Sequence, residues 1–166
     1  DALAPARLPI VVAHFGFPDP ALGVDCPGFR RLLAETERVI VKASAPYALG
    51  GLDPIPLIEA LVAGARRVVL DADALNAFQG EAAALASLAR DRAVVLTPHP
   101  GEFRRLFPGD AEGLEVDPWL AASGAARASA ATVLLKGGPS VIGQPGQAPL
   151  TVAAGNPGLA TGGSGD

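Results

Sequence analysis

A single cysteine, Cys26, stands among the 166 residues. The chain therefore forms no internal disulfide and no Cys-x-x-Cys metal cage, and it reads as made for a reducing, cytoplasmic compartment. Long apolar runs are missing as well. Stretches such as residues 8–13 and 93–96 fall far short of the roughly 20 residues that cross a bilayer as a helix. Positive charge is scarce, with 13 Lys and Arg against 17 Asp and Glu for a formal net charge of −4. That balance excludes the basic surface by which a protein coats nucleic acid or an anionic membrane. The opening residues Asp1-Ala2-Leu3-Ala4-Pro5 lack an initiator Met and a basic-then-apolar leader, so the chain is expected to begin inside a longer one. Neither Gly-x-x-x-x-Gly-Lys-Ser/Thr nor an early Gly-x-Gly-x-x-Gly occurs, which disfavours a P-loop or Rossmann nucleotide site. Ser164 lacks the Gly-x-Ser-x-Gly elbow of a hydrolase in its strand-to-helix setting, and His14 with His99 lacks a third zinc ligand at a suitable spacing.

What is present is a series of short Val, Ile and Leu runs, at residues 8–13, 38–42, 67–71, 93–97 and 132–136. Their apolar residues are consecutive, as in strands buried on both faces of a parallel sheet. Helical signals lie between them. Asp53-Pro54 starts one helix, whose stripe is Leu57, Ile58, Leu61 and Val62 and which stops near Gly64. Residues 81–89 carry Leu85 and Leu88 on one face, and Asp117-Pro118 starts a segment bearing Trp119 and Leu120. Strand and helix alternate three times from Arg38 onward, which predicts a layered α/β domain with right-handed crossovers. In the final third, runs at 132–136, 140–142 and 149–152 are separated only by Gly- and Pro-rich segments. They predict antiparallel pairing at one edge of the sheet. Residues 15–29, with three prolines and three glycines, read as a loop.

Ligands of open parallel sheets bind beyond the carboxyl ends of the strands, and three polar clusters directly follow apolar runs. They are Asp71-Ala72-Asp73-Ala74-Leu75-Asn76, Thr97-Pro98-His99-Pro100-Gly101-Glu102, and Lys136-Gly137-Gly138. Each also has a structural alternative. Asp71 and Asp73 could cap helices, His99 could serve a turn, Glu102 could complement a helix N-terminus, and Lys136 could be a solvated strand end. A fourth segment runs from Gly155-Asn156-Pro157-Gly158 to Gly162-Gly163-Ser164-Gly165-Asp166. Glycines there let backbone N–H groups converge on an anion, with an aspartate beside them to take a proton from an attacking hydroxyl, which is what phosphoryl transfer requires. The alternative is a flexible Gly/Ser linker.

In order and spacing these four motifs, across residues 67–166, resemble the ADP/ATP-dependent NAD(P)H-hydrate dehydratases, carbohydrate-kinase-like members of the ribokinase superfamily. The resemblance implies a ribokinase-like layered sandwich: a mostly parallel sheet flanked by helices, with an antiparallel edge in the last third. It implies phosphorylation of the hydroxyl of NADHX or NADPHX, driven by ADP or ATP with Mg²⁺, and then loss of phosphate. By the same resemblance Asp166 is the base, and Gly162, Gly163 and Gly165 form the anion hole. His99, Asp71, Asp73, Asn76 and Gly50 line the substrate pocket together with Asp166. Lys136, Gly137, Gly138, Pro139 and Ser140, with Gly165, meet the adenine nucleotide, and Glu102 lies near the metal. Where the family carries a Gly-Pro-Gly-Leu-Gly type stretch this chain has residues 43–50, of which Leu49 and Gly50 fit. The whole of 1–166 is expected to be a partial domain, short of an N-terminal part and a C-terminal helix. A homo-oligomer and fusion to an NAD(P)HX epimerase domain are also expected. A vitamin-type kinase of the same superfamily and a non-catalytic nucleotide-binding module remain the alternatives.

Overall fold

The computed structural model describes residues 10–12, 18–34, 39–41, 53–65 and 67–154. Strands β1 (Ile10–Val12) and β2 (Val39–Val41) fall on the first two apolar runs and pair in parallel, Ile10 opposite Val39. Between them a 3-10 turn at Gly23–Asp25 leads into α1 (Pro27–Ala34). The loop expected at 15–29 therefore ends in a helix. Pro27 sits in its first turn, where a fixed φ helps and a missing N–H costs nothing. The Arg30 amide closes that turn on the Cys26 carbonyl at 2.9 Å, and Phe29 anchors the helix in the core. The count of Pro and Gly concealed a helix start.

Helix α2 (Pro54–Gly64) begins and ends where its sequence signals lie. The Asp53 carboxylate accepts the Ile55 amide at 3.0 Å, and Leu57, Ile58 and Val62 are buried. Then follow β3 (Arg67–Leu70), the short α3 (Asp73–Asn76), α4 (Ala82–Ala89), β4 (Ala93–Leu96) and α5 (Pro100–Leu106). A one-turn α6 (Pro108–Ala111) precedes α7 (Pro118–Ser129), whose Asp117 cap accepts the Leu120 amide at 2.8 Å. Strands β5 (Thr132–Leu135), β6 (Ser140–Gly143) and β7 (Leu150–Val152) complete the described residues. No helix among them is long and apolar enough to cross a membrane.

Strands β3 to β7 form one sheet in chain order. β3–β4 and β4–β5 are parallel, with α-helical connections, whereas β5–β6 and β6–β7 are antiparallel. The mixed sheet with an antiparallel edge is the architecture the pattern predicted.

Burial of the strands departs from expectation. Leu70, Val94, Leu96, Val133, Leu135 and Val141 share one face and are almost fully buried, while on the other face Val95, Leu134 and Ile142 are half-buried and Val69 is 59% exposed. Among the described residues the two faces are thus unequally covered. Consecutive β-branched residues favour a strand whichever face is covered, so an apolar run alone does not report burial on both sides.

Helix α7 lies tightly against the buried face through small residues, Ala121, Ala122, Ala125 and Ala126. At Gly143 of β6 an added Cβ would fall 2.3 Å from the Ala122 carbonyl oxygen. The only tryptophan, Trp119 near the start of this helix, donates its indole N–H to Thr151 Oγ1 of β7 at 2.8 Å.

Candidate functional site

Because β3, β4 and β5 are adjacent and parallel, the residues that leave their carboxyl ends meet although they are far apart in sequence. The Thr97 amide donates to the Leu70 carbonyl at 3.1 Å and the Lys136 amide to the Pro98 carbonyl at 2.9 Å, so the ladder continues past the strands. At its end the Asp71 carboxylate receives two donors on one oxygen. Lys136 Nζ lies 2.5 Å from Asp71 Oδ1, and Thr97 Oγ1 lies 2.8 Å from the same atom. Asp71 is 30% exposed in its side chain and Lys136 42%. The carboxylate is not a helix cap, since the residue before α3 is Ala72 and no side chain caps that helix. Ala72 holds φ at 49°, a sparsely populated backbone for an L-residue that costs about 1–3 kcal/mol. The chain thus turns under strain directly after Asp71.

Burial disfavours the charged form of Asp71, but the Lys136 and Thr97 hydrogen bonds and the Lys136 charge outweigh it and leave the carboxyl below its ordinary value of 3.8. A carboxyl depressed in the folded state stabilises the fold above its unfolded pKa, and that contribution is lost as pH falls through the lower folded value. Acid unfolding of Asp71→Asn is therefore expected to show a shallower fall in stability below about pH 4 than the parent. Chemical denaturation across that pH range checks it. Identical acid limbs would contradict the ion pair.

Asp73 and Asn76 lie one turn further on. Asn76 Nδ2 is 3.3 Å from Asp73 Oδ1, while Asn76 Oδ1 accepts Arg105 Nε at 3.1 Å and Nη2 at 3.0 Å. Both ends of the Asn76 amide are thereby engaged, and α3 is tied to α5.

His99 and Glu102 form the N-terminal cap of α5. His99 Nδ1 accepts the Gly101 and Glu102 amides at 3.0 and 3.3 Å, and Glu102 Oε2 accepts the His99 amide at 2.9 Å. With two N–H groups directed at Nδ1, the neutral imidazole carries its proton on Nε2, which lies 3.4 Å from Glu102 Oε1. The ring is still half exposed while Glu102 is buried. The structural alternatives for this pair hold as far as the cap goes. One Glu102 oxygen, Oε2, accepts the His99 amide, while Oε1 makes no hydrogen bond among the described residues and lies 3.4 Å from the ring nitrogen Nε2. Among the described residues no three His, Cys, Asp or Glu side chains cluster; Mg²⁺ at a nucleotide needs only one or two protein carboxylates beside phosphate and water oxygens.

Beyond β5, Ser140 Oγ donates to the Gly137 carbonyl at 3.1 Å, which closes the 137–140 turn. Beside this turn lies a shallow cleft lined by Pro100, Leu114, Pro118, Leu135 and Pro139 together with the charged Lys136 and Glu115. Gly50, Gly162, Gly163, Gly165 and Asp166 lie outside the described residues.

Two participants carry no role assigned from sequence, Thr97, which opens the second polar cluster, and Arg105. Thr97 carried a usable signal, a polar residue directly after an apolar strand, the same position that singled out Asp71. Arg105 carried none, because its partner Asn76 is 29 residues away and only the packing of α3 on α5 joins them.

A family model described as NAD(P)H-hydrate dehydratase matches residues 40–166. A bifunctional NAD(P)H-hydrate repair enzyme of Gloeobacter violaceus is 37% identical over 163 residues, covering 97% of this chain and 30% of that protein. An ADP-dependent (S)-NAD(P)H-hydrate dehydratase of Neisseria meningitidis is 40% identical over 100 residues, 60% of this chain and 33% of that one. The ADP/ATP-dependent NAD(P)H-hydrate dehydratase of Bacillus subtilis, co-crystallised with ATP/Mg²⁺, superposes with a TM-score of 0.57 at 26% identity over 76% of this chain and 42% of that chain. The chain thus spans about a third of the length of these curated relatives. The likeness to the Bacillus subtilis dehydratase bears out the layered α/β architecture with a mixed sheet expected above. With the motifs ordered as in the family, the strand ends assembled as the fold requires, and the model matched over most of its length, this chain belongs to the NAD(P)H-hydrate dehydratase family.

Proposed function

We propose that this chain supplies ADP- or ATP-dependent dehydration of (S)-NAD(P)H hydrate, a repair reaction on a damaged nicotinamide nucleotide. The observation that carries the reading is the meeting of three sequence motifs at one end of the sheet, fastened by the Asp71–Lys136 and Asp71–Thr97 contacts. Hydroxide is a poor leaving group. Asp166 takes the proton of the substrate hydroxyl as its oxygen attacks the terminal phosphoryl group, and the amides at Gly162, Gly163 and Gly165 receive the charge that develops there. Loss of phosphate together with a ring proton then restores the dihydropyridine.

In this reading the half-exposed His99 ring touches the hydrated nicotinamide nucleotide, and Asp71, Asp73, Asn76 and Gly50 line the same pocket. Residues 136–140 meet the adenine nucleotide, and the apolar walls of the adjoining cleft suit the face of an aromatic ring. The Bacillus subtilis relative was co-crystallised with ATP/Mg²⁺. We carry the nucleotide and Mg²⁺ to this chain, with Glu102 as the residue near the metal. A homo-oligomer, attachment to an epimerase domain and a cytoplasmic setting belong to the same proposal.

Incubation of the protein with NADHX or NADPHX and either ADP or ATP is expected to restore the absorbance of the reduced nicotinamide only when nucleotide is present. Absence of nucleotide-dependent recovery would falsify the proposal, and phosphorylation of a vitamin-type alcohol in its place would turn it to a kinase.

A further inference from the structure

We propose that Asp71 and Thr97 are positioning residues that hold the Lys136 ammonium at the carboxyl end of the sheet for a phosphoryl oxygen of the nucleotide. This rests on the functional reading above and revises one role in it: Asp71, placed there among the substrate-pocket residues, acts through Lys136.

The geometry is a relay across three strands. Lysine carries a compact charge on a flexible stem, and an unrestrained stem spreads that charge over many rotamers. Here the ammonium is pinned by a carboxylate 65 residues earlier in the chain, 2.5 Å away, at the end of a strand one removed from its own. The carboxylate is fixed in turn by the hydroxyl of Thr97, which leaves the intervening strand. Both bonds fall on the same oxygen, Oδ1, so the Thr97 contact sets the carboxylate orientation that the ammonium meets. Thr97 is itself anchored, its amide to the Leu70 carbonyl at 3.1 Å and its hydroxyl 3.3 Å from the same acceptor.

An ammonium has three N–H donors, and Asp71 takes one among the described residues. The others remain for an anion, and a lysine point charge is a common partner of phosphate. The position is apt for one, since Lys136 lines the same cleft as Pro139, Leu114 and Glu115, and the Glu115 carboxylate there is engaged by Arg104. Asp71 is partly exposed, so a direct substrate contact is the competing role, and the two roles separate experimentally.

The test measures ADP and ATP affinity by titration calorimetry, alongside KM for NADHX, in the wild-type protein and in Asp71→Asn, Thr97→Val, Thr97→Ser, Lys136→Met and the Asp71→Asn/Lys136→Met double variant. A lost hydrogen bond to a charged group predicts nucleotide binding about tenfold weaker in Asp71→Asn and Thr97→Val. Thr97→Ser keeps the hydroxyl and is expected to bind as the wild type does. In the Lys136→Met background Asp71→Asn should add almost nothing, because the group it positions is gone.

Four results overturn the inference. They are additive losses in the double variant, a serine variant as weak as the valine variant, tighter nucleotide binding in Asp71→Asn, or a raised NADHX KM in Asp71→Asn with nucleotide affinity unchanged. Should Asp71→Asn fail to fold, the valine and serine variants of Thr97 decide alone. A wild-type protein that binds neither nucleotide removes the functional reading itself, and the inference with it.

Discussion

Gly143→Ala is expected to lower the stability of the fold by about 3 kcal/mol, the upper part of the range for overpacking a tightly filled interior. The added methyl would lie 2.3 Å from the carbonyl oxygen of Ala122, 2.6 Å from its carbonyl carbon and 3.1 Å from the Ser123 amide nitrogen. All three atoms belong to the backbone of α7, so no rotamer change relieves the clash. The helix must retreat from the sheet, and the fully buried Ala122, Ala125 and Ala126 would lose contact with it. Gly124→Ala is the informative comparison. Its methyl would meet the Asp110 carboxylate at 1.9 Å, but a side chain can swing aside where a helix backbone cannot, so its loss is smaller. Urea unfolding midpoints at constant slope measure both. A Gly143→Ala midpoint equal to that of the parent would mean that α7 does not approach β6 as closely as described.

Asp166→Asn is expected to reduce kcat for nucleotide-dependent dehydration by at least about a hundredfold, the low end of what a positioned general base contributes. The amide has nearly the shape of the carboxylate but cannot take the proton of the attacking hydroxyl. Nucleotide binding, which the reading assigns to residues 136–140, should stay close to that of the parent. A single-turnover assay with saturating NADHX and ATP, paired with calorimetric ATP titration, separates the two quantities. Turnover within a few-fold of the parent would remove Asp166 from the base role. Loss of both turnover and nucleotide affinity would make it a binding residue instead.

These two residues mark what the sequence discloses and what it withholds. The order of strands and helices from Arg67 onward was legible because apolar runs, Asp-Pro helix starts and Gly/Pro breaks act locally, each within a few residues. The antiparallel edge was legible for the same reason, through short glycine-rich connections. What stayed hidden depends on distance in the chain. The closeness of Gly143 to Ala122, the Arg105–Asn76 tie and the covering of one sheet face more than the other are set by packing between elements, and no local pattern encodes them. The candidate site divides in the same way. The polar residues after β3, β4 and β5 stood out by position, but the commitment of Glu102 to His99, and of Asp71 to Lys136 and Thr97, emerged only when the strand ends came together. Residues 27–29 show a local signal misread, with Pro27 counted as a breaker although it opens α1.

The bond from Trp119 to Thr151 has a practical consequence. With one indole in the whole sequence, ultraviolet emission from this protein reports a single place, the seam where the last described strand fastens to α7. Fraying of that strand would break the Thr151 hydrogen bond of an indole that is already 41% exposed, so an optical signal native to the chain follows the sheet margin without any attached label.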